Sequence, residues 1–253
     1  MIPLREQEYV RGRFGQELEG KVKIDYFTQR SSPLYVPGRE QCVYCEDTRK
    51  LLEELASLSD KIVLTVHEFA EASDEAQKLG VDKVPGIVLR GPANRALRFF
   101  GIPGGNEFPN FVETIIEASR QRVQVSPEAA KHLKKLRDKA SITVFVTPTC
   151  PYCPGVVRAA YRLALASAHV QAAAVEISEF PRLAQRWSVR AVPFTVINDR
   201  AAIAGALDEA QLAEQAAKAS ETAAVSGAPA QGGATSEATV AGPSPASRLI
   251  LPR

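Results

Sequence analysis

Cysteine is scarce in this chain, with four among 253 residues, and methionine and tryptophan occur once each. A secreted disulfide scaffold packs more cysteines into a shorter chain, so that class is excluded. Neither sign of charge is in excess: Lys plus Arg is 31 against 29 Asp plus Glu, a net of +2. Such a balance leaves no electrostatic footprint for nucleic acid or an anionic membrane surface, and neither partner is expected. Long apolar runs are also missing. The first 25 residues carry ten charges between Arg5 and Asp25, which leaves no room for a secretory signal. The most apolar later stretch, Ala159 to Val175, is broken by Arg162, His169 and Gln171 and is too short and polar to span a bilayer. With 45% apolar and 24% charged residues the chain reads as a globular protein, expected to be cytoplasmic.

The few cysteines are placed with order. They form two Cys-x-x-Cys pairs, Cys42-Val43-Tyr44-Cys45 and Cys150-Pro151-Tyr152-Cys153, separated by 108 residues at both members. Val84-Pro85 and Val192-Pro193 repeat that offset, as do Glu68 and Glu176. Three features at one period argue for a tandem duplication. From residue 219 onward the composition shifts: Ala, Ser, Gly, Pro and Thr make up 25 of the last 35 residues, with no aromatic side chain. Such a segment buries too little apolar surface to offset its ordering entropy, so 219–253 is expected to be a disordered tail. The remaining chain divides into units at 1–123 and 124–218.

Local patterns agree with the division. Val22 to Phe27 and Ile142 to Val146 are β-rich runs upstream of the cysteine pairs, and apolar residues at helical spacing follow each pair. A second strand follows (Ile62 to Val66; Val170 to Val175), then a short helix leading to each Val-Pro. Each proline opens a strand pair, Ile87 to Leu89 with Leu97 to Phe100, and Phe194 to Ile197 with Ala201 to Ala204. Helices near Phe108 to Ser119 and Asp208 to Ala217 close the units, and Ser126-Pro127 reads as the N-cap and first position of the helix opening the second. The expected class is α/β, with parallel strands joined by helical crossovers.

Two cysteines at i and i+3 at a helix start have a specific chemical use. Unpaired backbone amides and the positive end of the helix dipole favour thiolate over thiol at the first cysteine. The thiolate attacks a disulfide, and the second cysteine then displaces the product and closes an intramolecular disulfide. Pro151 suits the first turn of such a helix, whereas the Cys42 pair has no proline, so the two redox potentials are expected to differ. Zinc is the competing reading, but zinc ribbons place their pairs within about 15–20 residues, and 104 residues separate Cys45 from Cys150. No metal is expected. A purely structural disulfide is disfavoured because closing so small a loop constrains the unfolded chain little.

The stretch Phe145-Val146-Thr147-Pro148-Thr149-Cys150-Pro151-Tyr152-Cys153-Pro154, with Ala191-Val192-Pro193 and Arg98-Phe99-Phe100-Gly101-Ile102-Pro103-Gly104-Gly105-Asn106-Glu107-Phe108, resembles the glutaredoxin-like protein disulfide oxidoreductases. These are tandem thioredoxin-fold proteins of archaea and thermophilic bacteria, and the resemblance covers about residues 1 to 218. It implies two tandem thioredoxin-like domains, each a central mixed sheet flanked by helices. It implies that Cys42 and Cys150 attack, that Cys45 and Cys153 resolve, and that Pro85 and Pro193 are cis. The backbone of Val84 and Val192 would then receive an extended substrate segment. Glu68 and Glu176, at matching strand ends, are candidates for a proton relay, against the commoner use of such a glutamate as a cap.

The implied activity is dithiol–disulfide exchange that reduces, forms or isomerises disulfides in protein substrates. No cofactor is expected, NADPH acting only indirectly through a reductase. One alternative is an electron relay between a thioredoxin reductase and a peroxiredoxin. Another is a non-catalytic binding or holdase module. The first unit departs from the pattern with fourteen residues, Thr28 to Gln41, before Cys42, against three, Thr147 to Thr149, before Cys150. That loop is expected to cover Cys42 or select substrates. Lys83 and Ala191 stand where glutathione-using relatives carry Thr, and the second unit has Gly205-Ala206 in place of Gly-Gly, so glutathione use is not expected.

Overall fold

The computed structural model describes residues 2–30 and 41–225, with side chains to residue 220. In chain order the first unit is α1 (Leu4–Glu17), β1 (Val22–Thr28), α2 (Cys45–Ala56), β2 (Ile62–Glu68), α3 (Ser73–Leu79), β3 (Gly86–Arg90), β4 (Leu97–Phe100) and α4 (Glu107–Ala118). The second repeats it with α5 (Pro127–Leu133), β5 (Ala140–Val146), α6 (Cys153–Ala166), β6 (Val170–Glu176), α7 (Pro181–Arg186), β7 (Phe194–Ile197), β8 (Ala201–Ala204) and α8 (Glu209–Val225). Ser126 caps α5 as its sequence position implies, its hydroxyl accepting the Ala129 amide at 3.2 Å.

Within each unit the first two strands run parallel and the hairpin joins antiparallel. The units then share one sheet. β4 pairs in parallel with β6, Leu97 opposite Ala172 through Phe100 opposite Val175, giving the order β2-β1-β3-β4-β6-β5-β7-β8. Strand alternation distributes side chains between two cores. Ile24, Tyr26, Ile87, Leu89, Ile142, Val144 and Ala174 face α1, α2, α4, α5, α6 and α8, while Phe27, Val88, Phe100, Phe145, Val175 and Val196 face α3 and α7.

The chain end departs from expectation. α8 continues to Val225, and Ala219 and Ser220 are buried in its last described turns, so order extends past the expected boundary at 219. The Ala content that reads as low complexity is also the best helix-forming composition, and Ala213, Ala216 and Ala217 give the helix a buried face. The rest of the expected tail, residues 226–253, lies outside the described residues, as do residues 31–40 of the loop expected to cover Cys42.

One backbone contact sets a strict local requirement. A Cβ on Gly91, in the turn after β3, would stand 1.6 Å from the Ala118 carbonyl oxygen at the end of α4. Backbone lies on both sides of that contact, so neither can yield without moving an element. Gly91→Ala is expected to destabilise the fold by about 3 kcal/mol, lowering the thermal midpoint by roughly 5–10 °C. Circular dichroism melting checks this, and an unchanged midpoint would show that the α4 end is free to shift.

Candidate active sites

Both cysteine pairs lie where a strand of the central sheet passes into a helix. Each is closed as a disulfide, Cys42–Cys45 and Cys150–Cys153, with Cα–Cα distances of 5.5 and 5.6 Å. The second cysteine is the first residue of its helix in both cases, so the first cysteine stands ahead of the amides that an α-helix leaves unpaired. Cys45 and Cys153 are buried, and the residues between the cysteines are exposed, Val43 at 78% and Tyr152 at 68%. Among the described residues no group of three His, Cys, Asp or Glu side chains is gathered at metal-binding distance.

The two sites differ in detail. At the second, the Cys153 amide donates to Cys150 Sγ at 3.1 Å, and Cys150 Sγ lies 3.8 Å from the Val192 carbonyl oxygen. At the first, the Gln29 amide donates to Cys45 Sγ at 3.4 Å, while Gln29 Oε1 accepts the Cys42 amide at 3.1 Å. Gln29 is a contributor that the motif alone does not reveal. The Tyr26 hydroxyl donates to the Cys45 carbonyl at 2.5 Å, and burial pushes its pKa up to about 12, which keeps it a neutral donor. The first turn of α2 carries Glu46 and Asp47, whereas that of α6 has no acid. Carboxylates there oppose the helix dipole and disfavour a thiolate at Cys42.

Val84–Pro85 and Val192–Pro193 are both cis peptide bonds. Each proline is buried and enters the following strand, and its carbonyl accepts an amide from a glycine after the hairpin: Gly101 to Pro85 and Gly205 to Pro193, both at 2.9 Å. Glu68 and Glu176 both accept backbone amides. Glu176 is 3% exposed and accepts the amides of Ser178 and Glu179 at 3.2 and 3.1 Å. Glu68 accepts the Arg30 amide at 3.1 Å and pairs with the Arg30 guanidinium at 3.5 Å. Glu176 thus caps its own turn, while Glu68 bridges to Arg30 after β1.

A buried carboxyl opens α4, the helix next to α6. α4 and α6 pack side by side in parallel: Arg158 pairs with Glu113 and Glu117, and Arg162 with Glu117, the two series stepping along both helices together. The Asn106 amide, at the start of α4, donates to the Pro148 carbonyl at 2.9 Å, two residues before Cys150. Glu107 is the first residue of α4, one position after Asn106, and its charge acts on Tyr161 of α6. It is 1% exposed; Asn110 Nδ2 donates to its Oε2 at 3.0 Å, and its Oε1 has no hydrogen-bond partner. Burial pushes its pKa up to about 7.

Known proteins share this fold. Residues 140–217 match the thioredoxin domain model. The AhpF component of alkylhydroperoxide reductase from Enterococcus faecalis superposes with a TM-score of 0.74 at 28% identity, over 85% of this chain and 99% of that one. A protein disulfide oxidoreductase from Aeropyrum pernix also superposes at 0.74, at 24% identity, over 87% of this chain and 94% of that one. The chain is a tandem thioredoxin-fold protein. Among curated sequences, the corresponding AhpF component of Xanthomonas campestris pv. phaseoli is 28% identical over 149 residues, 58% of this chain. The matched region spans about a quarter of the length of that relative, 26%. The thioredoxin fold here carries a Cys-x-x-Cys pair closed as a disulfide in each repeat, the arrangement dithiol–disulfide exchange requires. No described helix is long and apolar enough to cross a membrane.

Proposed function

We propose that the chain reduces disulfides of protein substrates, with Cys150 as its leading nucleophile. The observation that carries this is the Cys153 amide 3.1 Å from Cys150 Sγ at a helix start free of acids. In the reduced protein the Cys150 thiolate attacks one sulfur of the substrate disulfide, forming a mixed disulfide and releasing the other sulfur as a thiolate that takes up a proton. Cys153 loses its proton to Glu107 and attacks Cys150 Sγ. The second substrate sulfur leaves and is protonated in turn. Two electrons have passed, and the Cys150–Cys153 disulfide remains for a reductant to reopen. The backbone of Val192, beside the Cys150 sulfur, and that of Val84 are suited to pair with an extended substrate segment.

A relay is the second reading, supported by the superposition on the AhpF component of alkylhydroperoxide reductase, 99% of which is covered. Here the electrons come from a thioredoxin reductase and leave to a peroxiredoxin. The test is a coupled assay: NADPH or NADH oxidation with a purified reductase and peroxiredoxin, alongside insulin-disulfide reduction by dithiothreitol. Turnover in either assay, lost in a variant with Cys42 and Cys150 both changed to Ser, is expected. Activity unchanged in that double variant would overturn the assignment of both pairs. Activity with insulin but not with the peroxiredoxin would leave the general reductase and remove the relay.

A further inference from the structure

The turn after β6 belongs to the second unit but reaches the first site. Glu179 Oε1 accepts the Ile102 amide at 2.7 Å, in the segment that follows β4 of the first unit. The preceding residue, Gly101, donates its own amide to the Pro85 carbonyl at 2.9 Å. The Gly101–Ile102 peptide is thus held on one side by the cis-proline of the first site and on the other by an acid from the second unit. Gly101 has φ +98°, and a Cβ there would lie 2.7 Å from Glu179 Oε1 and 2.8 Å from the Glu176 Cβ. A side chain at 101 and a carboxylate at 179 cannot both occupy that space.

The duplication supplies an internal control. Gly205 repeats the conformation at φ +99° and donates to the Pro193 carbonyl at 2.9 Å, yet a Cβ there would meet nothing within 4 Å. The same backbone device exists at both sites, and only the first has an acid closing over it. Glu179 also sits where its charge raises the pKa of Tyr26, whose hydroxyl holds the Cys45 carbonyl.

We propose that Glu179, carried by the second unit, is a positioning residue for the first site: it holds Gly101–Ile102 against the Pro85 carbonyl and couples the Cys42–Cys45 pair, but not the Cys150–Cys153 pair, to its own ionisation. The proposal rests on the exchange activity assigned above. The groups facing Glu179 are few. Glu176 comes from its own turn and Tyr26 from β1, while 101–106 of the first unit offers backbone amides and no charged side chain. Arg182 and Arg186 of α7 are exposed. Burial and the neighbouring Glu176 push the Glu179 pKa up to about 7. As pH rises through that value the carboxylate becomes a stronger acceptor for Ile102, and its negative charge opposes thiolate formation at the first pair.

The test measures each pair alone, the first in a background with Cys150 and Cys153 changed to Ser and the second with Cys42 and Cys45 changed to Ser. Glu179→Gln keeps an acceptor and removes the charge, and is expected to move the pH midpoint for alkylation of Cys42 downward without altering that of Cys150. Glu179→Ala also removes the acceptor and is expected to slow disulfide exchange by the first pair about threefold to tenfold, leaving the second unchanged. If Glu179→Ala does not fold, the Gln variant still decides. Equal rates and midpoints with and without Glu179, or equal changes in both pairs, would overturn the proposal. Absence of exchange by the unsubstituted first pair would instead overturn the activity on which it rests.

Discussion

Cys150→Ser is expected to cut disulfide reduction at pH 7 by roughly tenfold, while Cys42→Ser leaves the rate within about threefold. The asymmetry follows from the two helix starts. A thiolate at Cys150 has the Cys153 amide at 3.1 Å and a first turn without acids. A thiolate at Cys42 stands near Glu46 and Asp47, and the amide directed at sulfur in that site goes from Gln29 to Cys45. Two exposed carboxylates a helical turn away are worth about one pKa unit, or tenfold in thiolate fraction near neutrality. The same difference makes the second pair the more oxidising, because whatever stabilises a thiolate stabilises the reduced form. Iodoacetamide alkylation against pH is the direct check, with the Cys150 midpoint expected below that of Cys42. A Cys42 midpoint at or below it would reverse the ranking. Changing Glu46 and Asp47 together to Gln and Asn should then bring the two midpoints closer.

The parts of the molecule legible in its sequence are those governed by short-range chemistry. Runs of β-forming residues between turn residues located the strands within one or two residues, as at β4, β7 and β8, where the bounds coincide. The 108-residue offset located both cysteine–proline constellations, because each motif is local. The parallel pairing of β4 with β6 was not legible: an edge strand that continues into a neighbouring repeat and one that faces solvent both read as short apolar runs. Ala172 and Ala174 add little pattern of their own. Glu107 was hidden for the same reason. Within the second repeat, the buried position six residues before Cys150 is Val144 and offers no acid. The acid proposed to serve the second pair, Glu107, comes from the other repeat, 46 residues before Cys153.

Glu107→Gln is expected to slow the exchange and stabilise the fold at once. The carboxyl is raised from its ordinary 4.5 to about 7 by burial, so the folded state favours its protonated form. Its contribution to stability is then fully present below about pH 4.5 and is lost as pH rises toward and through 7, since only the folded protein resists the ionisation. The whole shift corresponds to about 3 kcal/mol. Gln does not titrate, and it still accepts the Asn110 amide, but its own NH2 group takes the place of an oxygen with no partner. That unsatisfied donor costs about 1–2 kcal/mol. Above about pH 7.5 the variant should therefore be more stable by about 1 kcal/mol, and below about pH 5 less stable than the parent. Urea titrations at about pH 5 and pH 8 measure both signs. In activity the order is opposite. Without a group that exchanges a proton with Cys153 near neutrality, resolution of the mixed disulfide should slow by roughly 10–100-fold. Attack by Cys150, which comes first and needs no proton from Glu107, should keep its rate. Stopped-flow separation of the two steps decides the matter. Slowing of both steps alike would point to a displaced helix start, while slowing of resolution alone, together with loss of its pH dependence around 7, identifies Glu107 as the proton acceptor.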